Sequence, residues 1–349
     1  MRWGRIIRWT VWLGVPAAVA FVAYRHRDSL IGAAGLVATA RWPWLLAGVA
    51  AIAGVYACRA LVYGVPLRLL GYTVPRTFLW ETALMSTSLH QLIPVGGASG
   101  YAFLTWALHQ RGVPSGEASL VALIDTLSYA IALATLVVGG AVYLLTTGVL
   151  GSRSFVTSFG PGLVLVALAA LVYWVQRDRA RCSRVVLGVE RRIARLFGTR
   201  RADAGIRSFL NDYFRGKSII GKRPRPFARM IAFQYAAVLC DAAALYSAFL
   251  ALGMLPGPWI VLLGFVLAMA GGAVASAPGG GGSFELIMAA FFADHGLGHA
   301  QAIAAAVLYR GVGFWLPVAV TLVLLLRLRH RRRDVRKTRR RSPAGAAGR

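Results

Sequence analysis

The sequence predicts an all-α integral membrane protein of about 6–8 spanning helices, with two broken or re-entrant Gly-rich segments in inverted repeats. Three observations predict it. Apolar runs of on the order of 20 residues, enough to cross a bilayer, recur from end to end. Charged residues make up 15% of the chain, against about 25% in soluble domains, and mean hydropathy is +0.62. Two Pro-Gly segments, Pro94-Val95-Gly96-Gly97 and Pro278-Gly279-Gly280-Gly281-Gly282, interrupt the apolar pattern in related ways.

The first span is expected at 9–24, where basic Arg2, Arg5 and Arg8 precede an apolar run. This is also the pattern of an uncleaved signal anchor. A second span follows at 43–63, and an apolar segment at 77–93 runs into the first break. A short helix is expected at 98–110, a long apolar stretch at 116–147 and a span at 160–176. The insert 177–226 is basic. Within it Val185, Val189, Ile193 and Leu196 recur at helical spacing among arginines, which predicts an amphipathic helix on the membrane surface. A span at 227–253, an apolar segment at 258–276, the second break, a short helix at 283–294 and a last span at 299–326 complete the pattern. Residues 1–326 thus read as one transmembrane domain with half-repeats at 43–176 and 227–326, and 327–349 as a disordered basic tail.

The two breaks match at a shift of 184 residues, which pairs Pro94 with Pro278, Gly96 with Gly280, Gly97 with Gly281, Ser99 with Ser283 and Gly112 with Gly296. Upstream, Leu70-Gly71 matches Leu252-Gly253 after a slip of two residues. A fixed self-similarity of this kind is the mark of an internal repeat.

Charge sets the expected orientation. Of 39 Lys and Arg, 16 lie between Arg177 and Arg229 and 11 between Arg327 and Arg349. Basic residues collect on cytoplasmic loops, so the insert and both termini are expected in the cytoplasm. The first broken segment then enters from the cytoplasmic side, near Arg68, Arg76 and Arg111, and the second from outside. The same basic residues suit anionic headgroups. No recognition fold accompanies them, which argues against nucleic acid. Cys58, Cys182 and Cys240 fit neither disulfide nor zinc spacing, and no metal site or cofactor is expected.

Inverted repeats with discontinuous helices are a recurring transporter design, with the breaks lining a cavity. Helix N-termini after Gly97 and Gly281 present N–H groups to an anion, although glycines there also serve close helix crossing. Ionisable residues within the spans are Arg59, Glu81, Asp125, Asp241, Glu285 and Arg310. Glu285 and Arg310 are expected to meet at the cavity, and Arg59 and Glu81 to snorkel. His90 reads as a ligand, a proton carrier or a hydrogen-bonded core histidine, and His295 and His299 as solvated. The candidate lipid-binding and translocation set is Pro94, Gly96, Gly97, Ser99, Asp125, Pro278, Gly280, Gly281, Ser283, Glu285 and Arg310. Gly97-Ala98-Ser99-Gly100 has the form of an intramembrane-protease nucleophile, but its repeat partner Ser283 favours architecture, and no catalytic residue is expected.

His90-Gln91-Leu92-Ile93-Pro94-Val95-Gly96-Gly97, Ser276 to Glu285, and Tyr309 to Pro317 together resemble the flippase-like family, the transmembrane domain of lysylphosphatidylglycerol synthases and its stand-alone relatives. The resemblance covers nearly the whole chain. The family often has Asn where His90 stands, and an Arg shortly after the first glycines that this chain lacks. The resemblance implies translocation of a phospholipid or lipid-linked molecule, anionic or aminoacylated, between leaflets of a prokaryotic plasma membrane. It does not imply aminoacylation, because a short basic tail stands where bifunctional relatives carry a synthase domain. The expected partners are membrane lipids, with a synthase or glycosyltransferase acting in trans. The alternative is a non-transporting component that binds lipid or assists such an enzyme.

Overall fold

The computed structural model describes residues 35–92, 98–146, 167, 170, 171, 174–197, 203–221, 224–275 and 283–326. The expected first span at 9–24, most of the span at 160–176, both Pro-Gly breaks and the 327–349 tail lie outside the described residues.

Every regular element among the described residues is helical. In chain order they are α1 (Trp42–Leu69), α2 (Arg76–Leu92), α3 (Ala98–His109), α4 (Ser115–Thr146), α5 (Arg179–Phe197), α6 (Asp203–Gly221), α7 (Pro224–Ala251), α8 (Pro258–Ala275), α9 (Ser283–Asp294) and α10 (His299–Arg310). A π-helical turn at Gly311–Trp315 carries α10 onward to Leu326. The chain is a multi-pass membrane protein: Trp42–Leu69, Ser115–Gly140, Arg225–Ala251 and His299–Leu326 are each long and apolar enough to span. At 1.5 Å per residue, a 28-residue helix reaches about 42 Å and a 12-residue helix about 18 Å, so α3 and α9 are too short to cross a core of about 30 Å.

The elements recur. α1 and α7 each have 28 residues, and α3 and α9 each have 12. The terminations recur too. Gly71, Gly112, Gly253 and Gly296 have positive φ of 89°, 85°, 74° and 85°. Each closes a helix in the same way: Tyr72 N–H donates to Leu67 O, Val113 to Leu108, Met254 to Phe249 and Leu297 to Phe292. This left-handed ending satisfies orphan carbonyls, and glycine adopts it without a Cβ clash. The pairs Gly71/Gly253 and Gly112/Gly296 are those that the sequence repeat aligns.

Close packing at small residues fixes the arrangement. α1 and α7 run antiparallel: Arg41 N–H donates to Ala251 O at 2.8 Å, Gly48 faces Ser247, and Gly54 faces Cys240. α2 and α3 form a hairpin, where a Cβ on Gly100 would lie 2.6 Å from Ser86 O. The hairpin's ends meet again, with the Arg111 guanidinium 4.2 Å from the Phe78 ring centroid. α8 and α9 form the second hairpin, with Gly264 against Phe291 and Phe292 and Gly271 against Ile287. One core joins α1–α4 to α7–α10.

The insert holds two helices where the sequence pattern predicts one. α5 is the expected amphipathic helix. α6 packs on α4 through a small cluster of Leu120, Tyr213 and Ile220. Its clamp is Glu117, which is 1% exposed and accepts from Tyr72 Oη at 2.7 Å and from Arg215 Nη2 at 2.7 Å. Burial, and then the bond to Glu117, push the Tyr72 phenol up to about 12, so it stays a donor across the physiological range.

Candidate functional site

α10 ends on Tyr309 and Arg310, and their side chains organise the second half of the site. Arg310 Nε donates to Glu285 Oε1 at 2.9 Å, joining α10 to the first turn of α9. The guanidinium also lies 4.5 Å from the Phe284 ring centroid and 5.8 Å from that of Phe314, a cation–π seat that holds it in place. Glu285 Oε2 is buried with no protein partner. Next to this pair Tyr309 Oη donates to Asp241 Oδ1 of α7 at 2.7 Å, and its ring stacks on Phe284.

The first half supplies Arg59 from the middle of α1. Its Nη1 donates to Thr87 Oγ1 of α2 at 3.0 Å, and its guanidinium lies 5.4 Å from the Tyr129 ring centroid. Asp125 of α4 is its acidic neighbour. Tyr63 Oη donates to Asp125 Oδ2 at 3.3 Å and lies 3.4 Å from Ser86 Oγ. Asp125 Oδ1 and Arg59 Nε are buried without hydrogen bonds.

Asp241 connects the halves, because it feels both Arg59 and Arg310. The result is a row of alternating sign across the bundle: Asp125, Arg59, Asp241, Arg310, Glu285. Its members come from α4, α1, α7, α10 and α9, so five separate helices must be in register to form it. Alternation is what a low-dielectric interior demands, since an isolated buried charge is costly. The row holds two guanidiniums and three carboxyls.

The expected Glu285–Arg310 contact is present, and Asp125 belongs to the same row. Snorkelling of Arg59 is corrected: the side chain turns inward, because Thr87, Tyr129 and Asp125 offer partners in the bundle nearer than either interface. His295 is packed rather than solvated, its ring stacked on Phe291 at 4.3 Å and Nδ1 2.7 Å from Phe291 O, while His299 is exposed. Ser99 Oγ donates to Leu89 O at 3.0 Å, which ties the two arms of the first hairpin together. Ser283 begins α9. Pro94, Gly96, Gly97, Pro278, Gly280 and Gly281 lie outside the described residues. Tyr63, Thr87 and Tyr309 were not singled out from sequence. A signal for two of them exists: Tyr63 stands four residues after Arg59 on one helix face, and Tyr309 aligns with Asp125 in the repeat.

Among the described residues no three His, Cys, Asp or Glu side chains converge as metal ligands. A cavity of about 330 Å³ lined by Tyr72, Val74 and Arg111 sits at the α1–α2 turn, apart from the row. Comparison with known proteins gives one family model, the lysylphosphatidylglycerol synthase TM region, which matches residues 10–321. No curated protein matches the chain.

Proposed function

We propose, from the premise that the chain belongs to the lysylphosphatidylglycerol synthase TM region family, that it moves a phospholipid or lipid-linked molecule between the leaflets of a prokaryotic plasma membrane. The observation that carries this reading is the charged row, which runs from Asp125 of α4 to Glu285 of the second hairpin and is bonded to the first hairpin where Arg59 donates to Thr87.

The antiparallel contact of α1 with α7, two helices of equal length and equal termination, supports inverted halves. The hairpins α2–α3 and α8–α9 then enter as re-entrant segments from opposite sides, with both termini cytoplasmic. The basic end of the bundle, with Arg68, Arg76, Arg111 and Arg215, is the cytoplasmic one. Trp42 and Trp259, 69% and 68% exposed at the starts of α1 and α8, mark the other interface.

A lipid headgroup meets this row by its own charges. Its phosphate pairs with the Arg310 guanidinium, which offers a planar fork of donors. A headgroup amine pairs with the unpartnered oxygens of Glu285 and Asp125. No bond is made or broken in such a cycle, so the protein acts as a transporter rather than an enzyme. A synthase or glycosyltransferase in trans supplies the substrate.

Reconstitution into vesicles with labelled lipid in one leaflet tests this. Protein-dependent equilibration of the label is expected. Arg310→Ala should slow it about tenfold or more, the loss of one charge-assisted contact, and should lower stability by about 3 kcal/mol because it strands Glu285. Arg310→Lys, which keeps the charge but not the planar fork of donors, should also slow it while the unfolding temperature in detergent stays within a few degrees. Absence of movement across anionic, zwitterionic and aminoacylated lipids would leave the lipid-binding, non-transporting reading in its place.

A further inference from the structure

Helix α5 has two sharply different faces. At about 100° per residue, Arg181, Arg184, Arg191, Arg192 and Arg195 fall within an arc of about 100°. Val185, Val186, Val189, Ile193 and Leu196 fall within the adjoining arc, with Cys182. The side chains described along it include exposed Arg184 and Arg192, and Val185 at 48% exposure.

The start of this helix is anchored. Arg179 Nη2 donates to Asn211 Oδ1 at 2.6 Å, Tyr213 Oη donates to Gln176 Oε1 at 2.8 Å, and Lys217 donates to the Gln176 carbonyl. Cys182 is buried here, and burial pushes its thiol up and the Lys217 ammonium down. α6 in turn is held against the first turns of α4. A Cβ on Gly116 would lie 2.3 Å from Phe209 O, and Arg215 reaches Glu117. α5 therefore starts at the basic end of a membrane span and runs on from there with its apolar stripe uncovered at Val185.

We propose that α5 is a docking surface for anionic phospholipid, its apolar stripe set into the headgroup layer and its arginines binding lipid phosphates. The occupant follows from charge and position together. Arg181 is held by Asp178 and the Trp174 ring; the other four arginines of the arc, beside an apolar stripe, complement an acidic, amphipathic surface, and the anchor on α4 puts that stripe at the level of the bilayer surface. The surface is separate from the charged row, and the inference rests on the membrane placement of α4, not on translocation.

Hydrogen exchange of the full-length protein in nanodiscs tests the inference. Amides of 185–197 should exchange about tenfold more slowly in phosphatidylcholine mixed with phosphatidylglycerol than in phosphatidylcholine alone, an effect of the size expected from one or two surface arginines. High salt should reverse the difference. The double variant Arg184→Glu/Arg192→Glu should abolish it while α1 and α7 keep their protection, which shows that the fold is intact. Arg310→Ala should leave it unchanged, so that loss of transport and loss of docking are read separately. Equal exchange in the two lipids, or slow exchange seen only with an added protein, would overturn the proposal.

Discussion

Arg59 has one nitrogen bonded to Thr87 and its Nε buried without a hydrogen bond, and its charge is balanced by Asp125 and Asp241. Removing one member of such a set costs more than removing a balanced pair, because it strands the opposite charge. Arg59→Met is therefore expected to destabilise the protein by about 3 kcal/mol, and Arg59→Met/Asp125→Leu by clearly less. Unfolding in detergent measures both, and additive losses would show that the two groups do not balance each other. The acids and bases of the row were legible in the sequence because charge within an apolar span is conspicuous. Their order across the bundle was not, since it depends on which face of each helix meets which neighbour. The phenols were passed over because tyrosine is unremarkable in a membrane helix until its partner is known.

Among the elements, the two short helices were legible almost to the residue: the stretch expected at 98–110 is α3, ending at His109, and that at 283–294 is α9, whereas the span expected at 43–63 runs six residues further, to Leu69. Apolar length and glycine punctuation carry that information. α6 was not recognised, because a basic insert masks the apolar stripe that faces Leu120. The glycines act in two ways that a pair of variants separates. Gly112→Ala forces a left-handed alanine at φ 85°, where no neighbour is near, and should cost about 1 kcal/mol. Gly100→Ala drives a methyl against Ser86 O in the α2–α3 hairpin and should cost more, about 3 kcal/mol. The reverse order in thermal unfolding would mean that the hairpin opens readily.

For the whole molecule, the sequence aligns the end of α1 with that of α7, but the contact between them was not legible there, because helices that align need not touch. α1 and α7 do touch, and there Cys240 lies against Gly54, one helical turn from Cys58, so that the two thiols are neighbours. Mild oxidation with copper phenanthroline should join them. Protease cleavage in the insert would then leave two fragments linked until a reductant is added. If the halves rock against each other during translocation, the oxidised protein should lose most of its lipid movement and regain it on reduction. Full activity in the cross-linked protein would place the motion elsewhere.

The π-helical turn after Arg310 has a consequence for rotational phase. Tyr309 reaches Asp241 and, twelve residues on, buried Thr321 reaches Ser88. In an unbroken α-helix, side chains so spaced point about 120° apart, so one of the two would turn toward lipid. The extra residue in the wide turn removes about 100° of that offset and brings both hydroxyls round to the bundle. Gly311–Trp315 is in effect a vernier on the last span. Deleting Val312 would reset it, rotating Tyr309 and Arg310 away from Asp241 and Glu285 while every residue of the charged row remained in the chain.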